Sequence, residues 1–385
     1  MHLYFEGINT MKKVLLSSAA ILGLAVASPA LAQDNALDLQ INGHYKGYVS
    51  YIDQDDAGTA ETRDVDWLQE TEVHLQGETT LDNGLTVGVH VEAEVDGGDS
   101  AAIDESYAYF SGAWGRVNAG DEDGAAYLLQ VAAPSADSNV DGIRQFVSGV
   151  NYTNLDPTNG SPTSTEIALD YDNDAANDAN KLTYLTPVFG GFQAGASYTP
   201  DTQATSFTGL ANAGSAPNGA TSTLGNASDD VAGSYGSAYE VGARYEGIVN
   251  NVGFILGAGY THVDLEEDLG TQDDFEEWNV GLDVDLGAFG LGVVYTENNN
   301  GQETLDENET WVVGADYTTG PFKLGASYLT NDNDFTGDTD RYTGGVVYTY
   351  GPGMSLRGSI SYLDVDNASV DADATNVLLG TQINF

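Results

Sequence analysis

The sequence predicts an all-β fold, a 16-stranded antiparallel β-barrel that spans a membrane, and three observations predict it. Outside the N-terminal segment, apolar and polar residues alternate with a period of two, the repeat of a strand whose faces meet different surroundings. The 47 Gly and 22 Tyr sit inside these alternating runs, and Cys is absent. That composition suits a barrel with aromatic girdles better than a compact α/β enzyme. Finally, the chain carries an export signal but no later apolar stretch of spanning length. An exported chain of this kind can satisfy its backbone inside a bilayer only as a closed barrel.

Residues 1–10 have no assignable role. Residues 11–32 read as a signal peptide: Lys12 and Lys13 form the charged n-region, Val14 to Ala27 the apolar core, and Ala30-Leu31-Ala32 the small-x-small cleavage site. The apolar run is shorter than the ~20 residues of a spanning helix and ends at Pro29. Residues 33–385 are left as the barrel domain.

The first strand, DLQINGHYKGYVSYI, sets Leu39, Ile41, Tyr45, Val49 and Tyr51 against Gln40, His44, Lys46, Tyr48 and Ser50. The next sets Trp67, Val73 and Leu75 against Glu70, Glu72, His74, Gln76 and Glu78. After Asp82-Asn83-Gly84, the third opposes Val87, Val89 and Val91 to His90, Glu92 and Glu94. A carboxylate at every second residue, with Val between, is the pattern of a strand lining a wet lumen. Thirteen further runs follow, at roughly 105–112, 115–121, 181–186, 191–199, 237–248, 251–264, 275–286, 289–297, 310–319, 322–330, 340–350, 354–364 and 374–385. Sixteen is an even number, as single-chain bacterial barrels require.

Tight links (Ala113-Trp114, PVFGG, Asn250-Asn251, Gly287-Ala288, TGP, GPG) alternate with longer acid-rich segments such as 53–65, 200–236, 265–274, 298–309, 331–339 and 365–373. The short links are expected on the periplasmic rim and the long ones outside the cell. One connection, from about Glu122 to Asn180, is far longer than the rest, a length that in a compact protein usually serves a function.

The 59 acidic residues against 11 Lys and Arg give a formal net charge of −48. This excludes nucleic acid as a partner, since phosphate binding needs clustered bases. Cations are the natural companions. The acid-rich stretches LEEDLGTQDDFEE, DNDFTGDTD, DVDNASVDAD and YDNDAAND suit Ca²⁺ or Mg²⁺, which would relieve self-repulsion or bridge to anionic lipopolysaccharide, although no EF-hand loop is in register. No cofactor is required, and no nucleophile with a positioned base is visible, so an enzyme is not expected; His262 beside Thr261 is a weak candidate pair.

Three stretches carry a resemblance to a known family. SYAYFSGAWGRVNAGDEDGAAY resembles the strand, turn and strand that lead into the third loop of the general porins of Gram-negative bacteria, in particular the alphaproteobacterial type. NKLTYLTPVFGGFQAGASYTP, with Tyr184, Pro187, Gly191 and Phe192, resembles their next hairpin. The terminal Phe385 resembles the family's signal to the outer-membrane assembly machinery. The resemblance implies an outer-membrane location and a third loop folded into the lumen. It also implies a homotrimer, and passive diffusion of small hydrophilic solutes and ions.

In such a pore, acids on the inward loop face bases on the wall. The acidic positions are Asp121, Glu122, Asp123, Asp137 and Asp141; the wall positions are His44, Lys46, Glu72, His74, His90, Glu92 and Arg116. A first loop joining residues near 52 and 66 would set His44 opposite His74 and Lys46 opposite Glu72, and the Asn83 turn would set His74 opposite Glu92. Lys46 and Arg116 are then the permanent positive charges of this patch, fewer than the family's arginine-rich wall. A mostly negative, cation-preferring channel is expected, weakened when histidines protonate in mild acid. A three-histidine metal site is a sharper reading of the same residues. Arg244, Lys323 and Arg357 also face inward, on distant strands, and are expected to pair with lumen carboxylates. Gly43, Gly47, Gly88, Gly281 and Gly292 read as bends or points of close packing. A plugged structural or adhesive surface barrel and a substrate-specific channel are the alternatives.

Overall fold

The computed structural model describes residues 37–56, 61–95, 102–137, 147–155, 171–202, 229–304, 307–334, 337–366 and 371–385. Residues 1–32 and Asp141 lie outside this set. The strands are β1 (Asp38–Gln54), β2 (Val65–Thr80), β3 (Thr86–Glu94), β4 (Ala102–Gly112), β5 (Gly115–Asp121) and β6 (Asn180–Leu185). Then come β7 (Phe192–Thr199), β8 (Tyr235–Val249), β9 (Val252–Leu265), β10 (Phe275–Leu286) and β11 (Phe289–Asn298). The last five are β12 (Asn308–Thr319), β13 (Phe322–Asn333), β14 (Asp338–Gly351), β15 (Met354–Asp366) and β16 (Asp371–Asn384). Each pairs antiparallel with its sequence neighbours, and β16 pairs with β1 to close a sixteen-stranded barrel. Among the described residues between β5 and β6 are two short helices, α1 (Ala125–Leu129) and α2 (Tyr152–Leu155).

The two-residue period fixes the faces. On β1, Val49 and Tyr51 are exposed on the outside, whereas Lys46, Tyr48 and Ser50 are buried inside. Outward aromatics recur six residues apart: Phe192 and Tyr198 on β7, Tyr239 and Tyr245 on β8, Phe254 and Tyr260 on β9. The same spacing holds for Phe289 and Tyr295, Trp311 and Tyr317, Phe322 and Tyr328, and Tyr342 and Tyr348 on β11–β14. Six residues are about 20 Å of strand, so the rings form two belts bounding a band of Val, Leu and Ala. Neighbours within a belt touch, as in Phe289–Tyr317 at 4.7 Å near the turns and Tyr295–Trp311 at 4.5 Å near the long loops.

The tight links take the hairpin geometry that the strand twist favours. Asn250 and Asn251 both have positive φ, 51° and 66°, as a two-residue primed turn requires. At the other end, several acidic stretches read as loops are strand. Asp332, Asp338, Asp340, Asp364, Asp366, Asp371 and Asp373 all lie in β13–β16, leaving connections of only 334–337 and 367–370. Hairpin bonding continues past the apolar band because water on both sides accommodates charge on either face.

The first register also differs from expectation. Ile52 N–H donates to the Asp64 carbonyl at 2.8 Å, which brings Asp64 into the ladder and moves β2 by two residues along β1. His44 therefore stands opposite Glu72, not His74, and Lys46 opposite Glu70, not Glu72. A shift of two preserves every face. The β2–β3 register is as expected, with His74 opposite Glu92.

Candidate functional site

The inner wall carries two kinds of surface. From β8 to β14 every strand carries an inward glycine, and residues 124–137 lie against them. A Cβ placed on Gly242 would stand 2.2 Å from the Ala125 carbonyl oxygen. On Gly281 it would stand 2.6 Å from the Val131 carbonyl, on Gly314 2.1 Å from the Pro134 carbonyl, and on Gly325 2.5 Å from the Ala136 nitrogen. Of the glycines singled out from sequence, Gly281 and Gly292 belong to this trough, Gly292 against Pro134, and they serve close packing rather than bending.

Polar contacts fasten the same segment. Ser197 Oγ accepts from the Ala125 amide at 2.8 Å, and Arg244 Nη1 donates to the Gln130 carbonyl at 3.0 Å. At its far end Asp137 is fully buried. Its Oδ1 accepts from Arg357 Nη1 at 3.2 Å, and both its oxygens lie 3.3 Å from the Tyr48 hydroxyl. Beyond it, Asn151 N–H donates to Gln54 Oε1 at 2.9 Å on β1, and Asn173 N–H to Gln130 Oε1 at 3.0 Å. Leu155 and Tyr171 pack with the inward apolar residues Ile52, Val294, Val312, Leu329, Leu363 and Val365.

The other surface, on β1–β5, is built of charge. Glu70 lies between Lys46 Nζ at 2.6 Å and His44 Nε2 at 2.5 Å. Glu72 Oε1 is 2.6 Å from His74 Nε2, and Glu92 Oε2 is 2.9 Å from His74 Nδ1 and 3.4 Å from His90 Nε2. The rings of His74 and His90 are 5.5 Å apart, and His90 stacks on Tyr107 at 5.1 Å. Arg116 lies over the Tyr109 ring, 4.1 Å from its centre, and its Nε donates to Asn118 Oδ1 at 2.6 Å.

The sequence-predicted positions divide accordingly. His44, Lys46, Glu72, His74, His90, Glu92 and Arg116 share this one wall. Asp121 ends β5, and Glu122 and Asp123 follow it, next to this wall in the chain. Glu122 is buried: Asn118 Nδ2 donates to its Oε1, and Lys181 Nζ donates to its main-chain oxygen. Burial pushes its carboxyl up to about 8, against the pull of Arg116 and Lys181. Asp123 gathers with Glu105 and Asp178. Asp137 reaches a distant base, Arg357. Arg244 and Lys323 also meet acids, Glu246 at 2.7 Å and Asp316 at 3.1 Å.

Sequence reading placed Glu70 on the lumen face without assigning it to the site, and missed Glu105, Tyr107, Tyr109, Lys181 and Glu240. Glu105, Tyr107 and Tyr109 share one parity on β4, and that signal could have identified them. Glu240 is buried with its carboxylate against Gly124, a contact visible only once the loop is in place. Thr261 and His262 make no dyad, because adjacent strand residues point to opposite faces; Thr261 donates to Asn173 Oδ1, and His262 lies 3.1 Å from Asp264.

A closed barrel with an apolar, aromatic-belted outside and a charged inside is an outer-membrane β-barrel. The chain belongs to the Gram-negative porins, whose family model matches residues 17–368. A porin structure refined at 1.8 Å is similar in fold, with a TM-score of 0.58 and 17% identity over 90% of this chain and 100% of that one. An anion-selective porin from Comamonas acidovorans gives 0.58 and 18%, covering 90% and 99%. Curated relatives include uncharacterized proteins of Rickettsia felis and Rickettsia conorii, each 25% identical over 50% of this chain. The match spans about half their length, 48% and 49%.

Proposed function

We propose that the barrel is a passive diffusion pore of the Gram-negative outer membrane for small hydrophilic solutes and ions, with a preference for cations. The observation that carries this reading is the course of residues 124–137 over the inward glycines of β8–β14. A segment seated there takes up lumen on one side and leaves the charged wall of β1–β5 facing the remaining space, where a low-dielectric surround focuses the field of fixed charges. Asp121, Glu122, Asp123, Asp137 and Asp141 are proposed for the acidic side of the constriction, and His44, Lys46, Glu72, His74, His90, Glu92 and Arg116 for its wall.

The preference for cations rests on the net charge of −48 and on the pairing of each described wall base with an acid or an aromatic ring. The Comamonas relative of similar fold is anion-selective, so selectivity belongs to the side chains rather than the barrel. The proposal extends to a homotrimer, to Phe385 as the assembly signal, and to Ca²⁺ or Mg²⁺ joining the acidic strand ends to lipopolysaccharide. Phe385 is placed for a closing role: it exchanges two backbone hydrogen bonds of 3.0 Å with Gly43, and its ring remains exposed.

Planar-bilayer recordings in a salt gradient test the reading. Open-channel steps with a cation-selective reversal potential at neutral pH are expected, and anion selectivity would overturn the preference. The second reading, a plugged surface barrel, is favoured by the apolar cluster joining Leu155 and Tyr171 to eight buried wall residues. It requires that no conductance steps appear.

A further inference from the structure

We propose that His74, His90 and Glu92 bind one divalent transition-metal ion of the Zn²⁺ class on the inward face of β2 and β3. The register puts His74 opposite Glu92 and Gln76 opposite His90, so the three residues occupy neighbouring inward positions on two paired strands. Their donor atoms converge. His74 Nδ1 lies 2.9 Å from Glu92 Oε2 and 3.4 Å from His90 Nε2, which is itself 3.4 Å from the same carboxylate oxygen.

These separations are those of a coordination sphere. Donors bound tetrahedrally at 2.0–2.1 Å stand about 3.3 Å apart. The circle through the three atoms has a radius of about 1.9 Å, so an ion slightly out of their plane reaches all three at ordinary Zn–N and Zn–O lengths. Two imidazoles and one carboxylate also select by chemistry. They suit Zn²⁺, Co²⁺, Ni²⁺ or Cu²⁺, whereas Ca²⁺ and Mg²⁺ want an all-oxygen shell.

The surroundings hold the donors in place. Glu72 Oε1, 2.6 Å from His74 Nε2, accepts a hydrogen bond from the N–H on the far side of that ring, which fixes the tautomer that presents Nδ1 to the ion. Tyr107 stacks against His90 and sets its plane. Glu105 Oε2 lies 4.0 Å from His90 Nε2, close enough to serve as a further ligand or to hold a bound water. The side chains of the three ligands keep 10–16% of their surface open, enough for an ion to enter from the lumen. The group formed by His44, Glu72 and His74 is looser, with 3.9 Å from His44 Nδ1 to Glu72 Oε1, and Glu72 is assigned to orienting His74.

Co²⁺ serves as the optical probe. Chelator-treated, refolded barrel in detergent is titrated with Co²⁺, reading its visible absorption, then with Zn²⁺ as competitor. One saturable Co²⁺ per chain is expected, displaced by Zn²⁺ and not by millimolar Ca²⁺. His74→Ala and His90→Ala should each weaken binding at least tenfold, and His90→Gln, which keeps a polar side chain of similar size, should weaken it as much. Heat-modified mobility on gels verifies that each variant has closed. Unchanged Co²⁺ titration in the closed His90→Gln variant, or displacement by Ca²⁺, would overturn the site and leave these residues as a hydrogen-bonded cluster. The readout does not depend on conductance, so it stands apart from the pore reading.

Discussion

The two sides of the lumen follow opposite rules. Each strand from β8 to β14 gives up one or more inward side chains to glycine, and the backbone of residues 124–137 lies against those glycines; on β1–β5 the inward positions carry His, Glu, Lys, Arg and Tyr that pack against one another. The difference shows that inward does not mean wet. A position under the loop needs absence of bulk, and a position facing water needs charge that finds a partner. The apolar-out, polar-in alternation holds fully only where nothing covers the inside.

The largest effect should come from the clasp at the end of the loop's course. Asp137→Ala would leave Arg357, itself largely buried, beside the Tyr48 hydroxyl without its carboxylate. Breaking a buried ion pair from one side costs about 3–5 kcal/mol. The heat-modified mobility transition is expected to fall clearly, together with altered single-channel conductance. Asp137→Asn, which retains a hydrogen-bond acceptor for Tyr48, should lose less.

The trough comes next. Gly314→Val places methyl groups where the Pro134 carbonyl lies, and overpacking of this kind costs about 1–3 kcal/mol. The same transition temperature should fall, and channel noise should rise as the segment loses its seat. Gly344→Val, on the outward face of β14, is the control, since a Cβ there meets nothing within 4 Å. Equal effects at Gly314 and Gly344 would mean that glycine serves β-sheet bending throughout, and the distinction between the two walls would fail.

Much of this contrast was legible in the alternating pattern, and the rest was hidden for physical reasons. Strand number and faces follow from parity, which survives errors of length, so even the misplaced first register left Lys46 and His74 facing inward. The register itself depended on Asp64, a charged residue that joins the ladder through its backbone alone. The trough was harder to see. An inward glycine reads the same in sequence whether it bends a strand or admits a neighbour, and only its recurrence at Gly242, Gly257, Gly281, Gly292, Gly314 and Gly325 on successive strands distinguishes the two. Adjacent Val293-Val294 and Val312-Val313 carried a similar signal, apolar on both faces because the loop covers the inner one.

The smallest predicted effect tests the boundary between the two walls, where Glu122 leaves β5. Its ordinary carboxyl would be ionised throughout the neutral range. Burial raises it to about 8. The sign follows: at pH 7 the group is mostly neutral, and raising the pH through 8 adds one negative charge beside Arg116 and Lys181. Reversal potentials should therefore shift toward stronger cation preference between pH 7 and pH 9, and Glu122→Gln should flatten that step without altering the preference at pH 7. A shift of the same size in the Gln variant would assign the alkaline response to another group and place Glu122 with the structural contacts of the loop rather than with the charged wall.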